Sequence, residues 1–161
     1  MLQRTFALYG EKTVLENILE ALYSAGFEGK EAVEIALKLI KMVKLEHRIT
    51  QLARDVSGGE KQRLVLARQL AMIPIIFLAD EPTGTLDPKT AKLVHEPLKN
   101  AVIKKNISMI ITSHWPEVIA QLSNSVIWLE KPEIKKIGDS KENVKEFMSY
   151  LKRFKKEKVE I

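Results

Sequence analysis

The residues best suited to chemistry in this chain are two neighbouring carboxylates, Asp80 and Glu81. They close the apolar run Ile75-Ile76-Phe77-Leu78-Ala79 in IPIIFLADEPTGTLDP, which spans Ile73 to Pro88. A hydrated divalent cation takes one carboxylate and still needs phosphate oxygens to complete its octahedron. A second carboxylate beside it can hold and polarise an attacking water. Asp-Glu-Pro is also a turn-like sequence, in which Asp80 would merely cap the next turn.

A second cluster favours the chemical reading. In VSGGEKQRLVLARQL, Ser57, Gly58 and Gly59 lie directly before a helical run. Backbone N–H groups and the positive end of the helix dipole then point at one spot, and glycine lets an anion approach the backbone closely. The Ser57 hydroxyl could donate to a phosphate oxygen. Ser-Gly-Gly alone is usually only a cap; upstream of an apolar strand that ends in Asp-Glu, it is more specific. A third group, Thr112, Ser113 and His114, follows the run SMII.

These residues need elements to position them. Thr13 to Phe27 places Val14, Ile18, Leu22 and Ala25 at helical spacing, with Thr13 as N-cap and Glu16 three residues on. Residues 30–45 read as a second helix with Val33, Leu37, Ile40 and Val43 or Lys44 on its apolar stripe. The helix after Gly59 carries Leu64, Ala67, Arg68 and Ala71 on one side. IIFLAD, apolar on both faces, reads as a central strand of a parallel sheet. Helix KTAKLVHEPLKNAVIKK, strand SMIITS, helix WPEVIAQLS and strand SVIWLE come next, the alternation of a parallel α/β sheet. Ligands gather beyond the carboxyl ends of such strands, where Asp80, Glu81 and His114 fall. The tail ENVKEFMSYLKRF has an amphipathic stripe that would dock on the body.

Composition excludes several classes. An apolar fraction of 45% and a charged fraction of 29% belong to an ordinary globular protein rather than a disordered one. With no cysteine, disulfide frameworks and thiolate metal sites are ruled out. No apolar run approaches the ~20 residues of a membrane span, and MLQRTFALYG has no signal-peptide pattern, so the expected location is cytoplasmic. The net charge of +5 is concentrated in residues 131–161, with ten Lys/Arg against six Asp/Glu. That tail has no interleaved aromatic stacking pattern and no base-reading motif, so no nucleic-acid partner is expected.

Together these segments resemble an ATP-binding cassette (ABC) ATPase domain. VSGGEKQRLVLARQL resembles the family's signature motif, with Glu60 where many members have Gln. IIFLADE resembles the Walker B strand, PTGTLDP the D-loop with Asp87, and ITSH the switch histidine, His114. FALYGEKTVLENI resembles the segment after the glutamine loop. The likeness covers about residues 3–140 and is archaeal-like: LADEPTGTLDPKTAKLVHE and ITSHWPEVI are most similar to the ATP-dependent activating component of the methyl-coenzyme M reductase system. Transporter cassettes share LADEPTG.

The resemblance implies an α/β fold, with a partial RecA-like P-loop ATPase core (a parallel sheet with helices) plus the ABC helical subdomain. Residues 1–140 would be a partial ABC ATPase domain, helical over about 11–72 and carrying the Walker B and H-loop core over about 73–140. Residues 141–161 would be a basic amphipathic C-terminal helix. Asp80 would hold Mg2+ through water, Glu81 would act as general base, and His114 would contact the γ-phosphate of ATP. Ser57, Gly58, Gly59 and Glu60 would close over a nucleotide held by an opposite cassette, and Asp87 would couple the two sites. The implied partners are a second ABC ATPase domain in trans or a complementing N-terminal fragment, within an enzyme-activation complex or beside a membrane permease.

The chain departs from that pattern in several places. It contains no G-x-x-x-x-G-K-[ST] phosphate loop, so binding and hydrolysis by this chain alone are not expected. SAGFEGKEA, the nearest imitation, reads as a turn between two helices. Arg4 stands where the family has its glutamine-loop Gln, with Gln3 one position off. Pro97 falls inside a helix, and Lys131-Pro132 replaces the usual glycine hairpin turn. In the family the phosphate-loop strand lies between those matching SMIITS and SVIWLE; without it these two strands must pair directly or leave apolar edges open. Three readings stand at this point: an ABC ATPase component acting through a partner, for enzyme activation or as a transporter's ATP-binding subunit; a non-catalytic partner lending its Ser57-Gly58-Gly59 surface; and a truncated relic.

Overall fold

The computed structural model describes residues 8–84, 86, 88–105, 107–130 and 133–157, with backbone alone for residues 88, 90, 101, 102, 104, 105 and 151–157. The chain packs as two units, Met1–Thr112 and Ser113–Ile161. This is a division by packing and falls elsewhere than the division by motif made from sequence.

The first unit begins with three helices, α1 (Val14–Ser24), α2 (Gly29–Met42) and α3 (Gly58–Ala71), with 3-10 turns at Glu46–Arg48 and Ala53–Asp55 between the last two. Helix α1 starts with a capping box: the Thr13 hydroxyl accepts from the Glu16 N–H (3.2 Å), and the Thr13 N–H donates to Glu16 Oε2 (2.7 Å). That exchange satisfies two backbone donors, and losing such a cap costs about 1 kcal/mol. The helix ends in a Schellman-type turn, with the Phe27 N–H donating to Leu22 O and Gly26 at φ +89°. Gly29, at φ +54°, opens α2, so SAGFEGKEA is a helix–helix turn.

Val14, Ile18 and Leu22 of α1 are buried as their spacing predicts, whereas Ala25, at the C-cap where the helix ends, is exposed. On α2 the buried face is Ala32, Ala36, Leu39 and Ile40, while Val33 and Leu37 are exposed. The apolar stripe expected from sequence is thus rotated. The small Ala side chains lie inward, where helices approach closely. Helix α3 is the middle of this core, with Leu64, Val65, Leu66, Ala67, Leu70 and Ala71 all buried. Each large aliphatic side chain buried in this way contributes about 1.5–3 kcal/mol.

Strand β1 (Ile76–Asp80), helix α4 (Pro88–Lys105) and strand β2 (Ser108–Thr112) complete the unit. The two strands form a parallel pair with Leu78 opposite Ile110 and Asp80 opposite Thr112. Helix α4 runs through Pro97, whose missing N–H removes one backbone bond. Among the described residues β1 has only β2 beside it, and one face of the pair is bare: Ile76, Leu78 and Ile110 are exposed, whereas Phe77 and Ala79 are buried. The expectation of a central strand covered on both faces is therefore corrected, because among the described residues no third strand or second helical layer covers that side.

The second unit holds α5 (Pro116–Leu122), strands β3 (Ser125–Glu130) and β4 (Glu133–Asp139), and α6 (Ser140–Glu157). β3 and β4 pair antiparallel, with a register shift after Trp128. Lys131 and Pro132 lie outside the described residues. Trp128 packs edge-on against Phe147 (5.2 Å) and Tyr150 (5.1 Å) of α6, which explains the amphipathic stripe of the tail. The opposite face of the hairpin is bare, with Ile127 facing Ile137 and Leu129 facing Ile134, all four exposed. β2 and β3 thus belong to separate two-stranded sheets, the outcome that leaves apolar surface open. Among the described residues no helix is long and apolar enough to cross a membrane.

Candidate functional site

Asp80 ends β1 because the parallel register brings Thr112 opposite it. The Thr112 hydroxyl donates to Asp80 Oδ1 at 2.5 Å, which fixes the carboxylate at the strand end. The next N–H, of Glu81, donates to Thr112 O at 3.2 Å, with Thr112 Oγ1 also 3.2 Å away. Glu81 itself sits at φ +44°, a left-handed conformation that costs a non-glycine residue about 1–2 kcal/mol. The turn closes through the Gly84 N–H to Glu81 O at 3.1 Å. A Cβ at Gly84 would lie 3.2 Å from Glu81 Oε2, so the absence of a side chain there gives the glutamate carboxylate its room.

The Ser57 turn is built as a second capping box. Ser57 Oγ accepts from the Glu60 N–H (3.3 Å), and the Ser57 N–H donates to Glu60 Oε2 (2.8 Å). Capping leaves the first-turn N–H groups of Gly58 and Gly59 without an intrahelical acceptor, as at any helix start. Both Ser57 and Gly58 are exposed, and a Cβ at Gly58 would meet nothing within 4 Å. Those donors, with the helix dipole behind them, suit an anion arriving from outside the chain.

Glu60 does structural work inside the chain. Its side chain is buried, and its Oε1 accepts from Arg48 Nε (2.9 Å) and lies 3.1 Å from His47 Nε2. Burial works to raise the pKa of this carboxyl. The Ser57 amide, Arg48 and His47 outweigh it and hold the value down at about 2. Both oxygens are engaged within the chain, so Glu60 anchors the Ser57 turn to Glu46–Arg48. Arg48 extends the network through its Nη1 to Gln51 Oε1 (2.8 Å), and Gln51 donates in turn to Asp55 O (3.2 Å).

A hydrogen bond ties α3, the helix that the Ser57 turn opens, to the carboxylate turn: Gln62 Nε2 donates to Pro82 O, directly after Glu81. His114 falls in the second unit, exposed, with its ring 5.1 Å from that of Trp115. Asp87 and Gln3 lie outside the described residues. Sequence reasoning missed Gln62, Arg48 and His47 as site-building residues. Only the position of Gln62, two residues past Glu60 on the same helix, offered any signal.

Among the described residues there is no cluster of three His, Asp or Glu that would cage a metal by itself. Asp80 and the Thr112 hydroxyl offer hard oxygen donors, the type magnesium accepts when phosphate and water fill its remaining positions.

The family model described as ABC transporter matches residues 1–84, just over half of the 161-residue chain. The chain is 71% identical over 161 residues to an uncharacterized ABC transporter ATP-binding protein of Methanocaldococcus jannaschii, covering all of this chain and 30% of that one. It is 39% identical over 119 residues to the lipoprotein-releasing system ATP-binding protein LolD of Geobacter metallireducens, covering 74% of this chain and 53% of LolD. Among solved structures it is similar to a dimeric ATP-binding cassette in a post-hydrolysis state with ADP and Pi. That likeness has a TM-score of 0.74 at 29% identity over 86% of this chain and 61% of the other. The chain thus spans about a third to a half of the curated relatives it matches.

Proposed function

The chain belongs to the ABC transporter family, and from that premise we propose that it is part of the ATP-binding component of an ABC transporter, acting with a second cassette beside a membrane permease. The observation that carries the proposal is the end of β1, where Thr112 orients Asp80 while Glu81 is held next to it in a strained turn. Asp80 would hold Mg2+ through water, and the ion would neutralise charge on the β- and γ-phosphates of ATP. Glu81 would accept the proton of a water whose oxygen forms a bond to the γ-phosphorus as the bond to the bridging oxygen breaks, releasing ADP. The Gly58 and Gly59 N–H groups and the Ser57 hydroxyl would meet the phosphates of a nucleotide on the opposing cassette, with Glu60 holding that turn in place. His114 would contact the γ-phosphate, and Asp87 would couple the two sites.

Activation of methyl-coenzyme M reductase stands behind transport. It rests on LADEPTGTLDPKTAKLVHE and ITSHWPEVI alone, whereas the matched relatives carry transporter and lipoprotein-release names.

The test is ATP turnover by the full-length protein, meaning this chain together with the second cassette or complementing N-terminal fragment that supplies a phosphate loop. Glu81→Gln lowers kcat by about a hundredfold or more while ATP binding persists, the loss expected for a general base. The 161-residue chain alone, whose sequence contains no phosphate loop, turns over no ATP above background. Hydrolysis by that chain alone that Glu81→Gln abolishes, or a full-length Glu81→Gln protein within about tenfold of wild type, overturns the reading.

A further inference from the structure

The carboxylate turn has a second support, on α4. The buried positions of that helix include Ala91, Val94, His95 and Leu98, at helical spacing. Three of them are apolar side chains in the core. His95 is only 8% exposed and its Nε2 lies 3.0 Å from Oγ1 of Thr83, itself 5% exposed. Burial lowers the His95 pKa and favours the neutral ring, whose Nε2 pairs with the Thr83 hydroxyl as acceptor or as donor according to tautomer. A neutral imidazole and a hydroxyl satisfy one another at this distance. Replacing either with an apolar group leaves the other as a buried orphan.

What makes this more than a satisfied core histidine is where Thr83 stands. It is two residues past Glu81, inside the turn that the Gly84 N–H closes on Glu81 O (3.1 Å), and its own carbonyl accepts from the Leu86 N–H (3.1 Å). The turn is therefore held from three elements: β2 through Thr112, α3 through Gln62, and α4 through His95. The first two grip backbone atoms of Glu81 and Pro82. The third grips a side chain, and a turn whose first residue sits at φ +44° relaxes most readily at the place where its far end is released.

We propose that His95 is a positioning residue, which through Thr83 fixes the turn that presents Glu81. The proposal rests on the reading of Glu81 as the base only for its kinetic consequence; the structural link stands by itself.

The experiment therefore has two arms. In the 161-residue chain, amide hydrogen exchange at Glu81 and Gly84 is followed in Thr83→Val, Thr83→Ser and His95→Leu, with Ile18 in α1 as a remote reporter. Thr83→Val and His95→Leu each speed exchange at Glu81 and Gly84 by about tenfold, the effect of one lost hydrogen bond, and leave Ile18 unmoved. Thr83→Ser, which keeps the hydroxyl, restores protection. The double variant Thr83→Val/His95→Leu is no worse than either single one. In the full-length protein, Thr83→Val lowers kcat for ATP with KM unchanged, and Thr83→Ser recovers it.

Unchanged exchange at Glu81 and Gly84 in Thr83→Val, or an equal rise at Ile18, overturns the link. If His95→Leu fails to fold, the Thr83 pair decides alone. A wild-type full-length protein without turnover overturns the functional reading of Glu81 and leaves the exchange arm to judge His95.

Discussion

Replacing Glu60 with Gln changes almost no volume, yet it should cost more than any surface substitution in the first unit. The carboxylate takes the Ser57 N–H on Oε2 and Arg48 Nε, with His47 alongside, on Oε1. Glutamine has one acceptor oxygen, so its NH2 must face a donor whichever way the amide is turned. The magnitude comes from linkage. A carboxyl held at about 2 instead of 4.5 contributes about 3 kcal/mol to folding, at 1.36 kcal/mol for each unit of pKa. Summing charge-assisted hydrogen bonds at about 1.5–3 kcal/mol each would give more, but desolvation of the buried carboxylate opposes them.

The sign is that of a depressed carboxyl. Its contribution is complete above about pH 4.5 and is lost as pH falls toward 2. Urea unfolding of the 161-residue chain should be followed by far-UV circular dichroism, because both tryptophans, Trp115 and Trp128, lie in the second unit and report on it alone. Glu60→Gln is expected to lose about 2–3 kcal/mol at pH 7, with the gap to wild type closing between about pH 4.5 and 2. A difference below about 0.5 kcal/mol at pH 7, or one that persists unchanged at pH 2.5, refutes the buried-anchor account of Glu60.

Two further outcomes are expected. Gly84→Ala puts a methyl 3.2 Å from Glu81 Oε2, so it lowers turnover of the full-length protein with little change in melting temperature; a variant with wild-type kcat shows that the glutamate does not need that space. Asn17, fully buried, accepts from the Tyr9 N–H (2.9 Å) and donates to carbonyls of Tyr9, Lys12 and Thr13 (3.0–3.2 Å), so Asn17→Leu strands those groups and costs about 2–4 kcal/mol in urea unfolding, whereas a loss under about 1 kcal/mol would mean that water replaces the amide.

The local devices were legible in the sequence because they depend on fixed short spacings. Thr13 with Glu16, three residues apart, was read as a cap and forms a capping box; Ser57 was readable as a cap, but the equal spacing to Glu60, which closes a second box, went unread. The end of β1 was legible too, since an apolar run stopping at Asp80-Glu81 can hardly end anywhere else. Illegible were the side chains that tie one element to another. Gln62, Arg48, Thr83 and His95 act across sequence gaps that no period encodes, and each looks like an ordinary helix or loop residue until the packing is known. The face of α2 was misjudged for a related reason. Val33 and Leu37 outrank Ala32 and Ala36 in hydropathy, but the spacing between helices selects small side chains for the contact. β1 was misjudged because apolarity on both faces shows that a strand is fit to be covered twice, not that this chain supplies both covers.

That last distinction bears on whether the site is maintained. The first unit spends hydrogen bonds from three elements on one turn and keeps Glu81 in a left-handed conformation costing about 1–2 kcal/mol, when glycine there or a looser turn would remove the strain. A copy released from catalytic work has no reason to retain such strain, and drift toward a relaxed turn is downhill in energy. The departures elsewhere in that unit, Pro97 within α4 and the bare face around Leu78 and Ile110, lie outside that turn. Strain held in place at Glu81, with tolerance kept away from it, weighs against the relic reading and for the proposed role of the carboxylate pair.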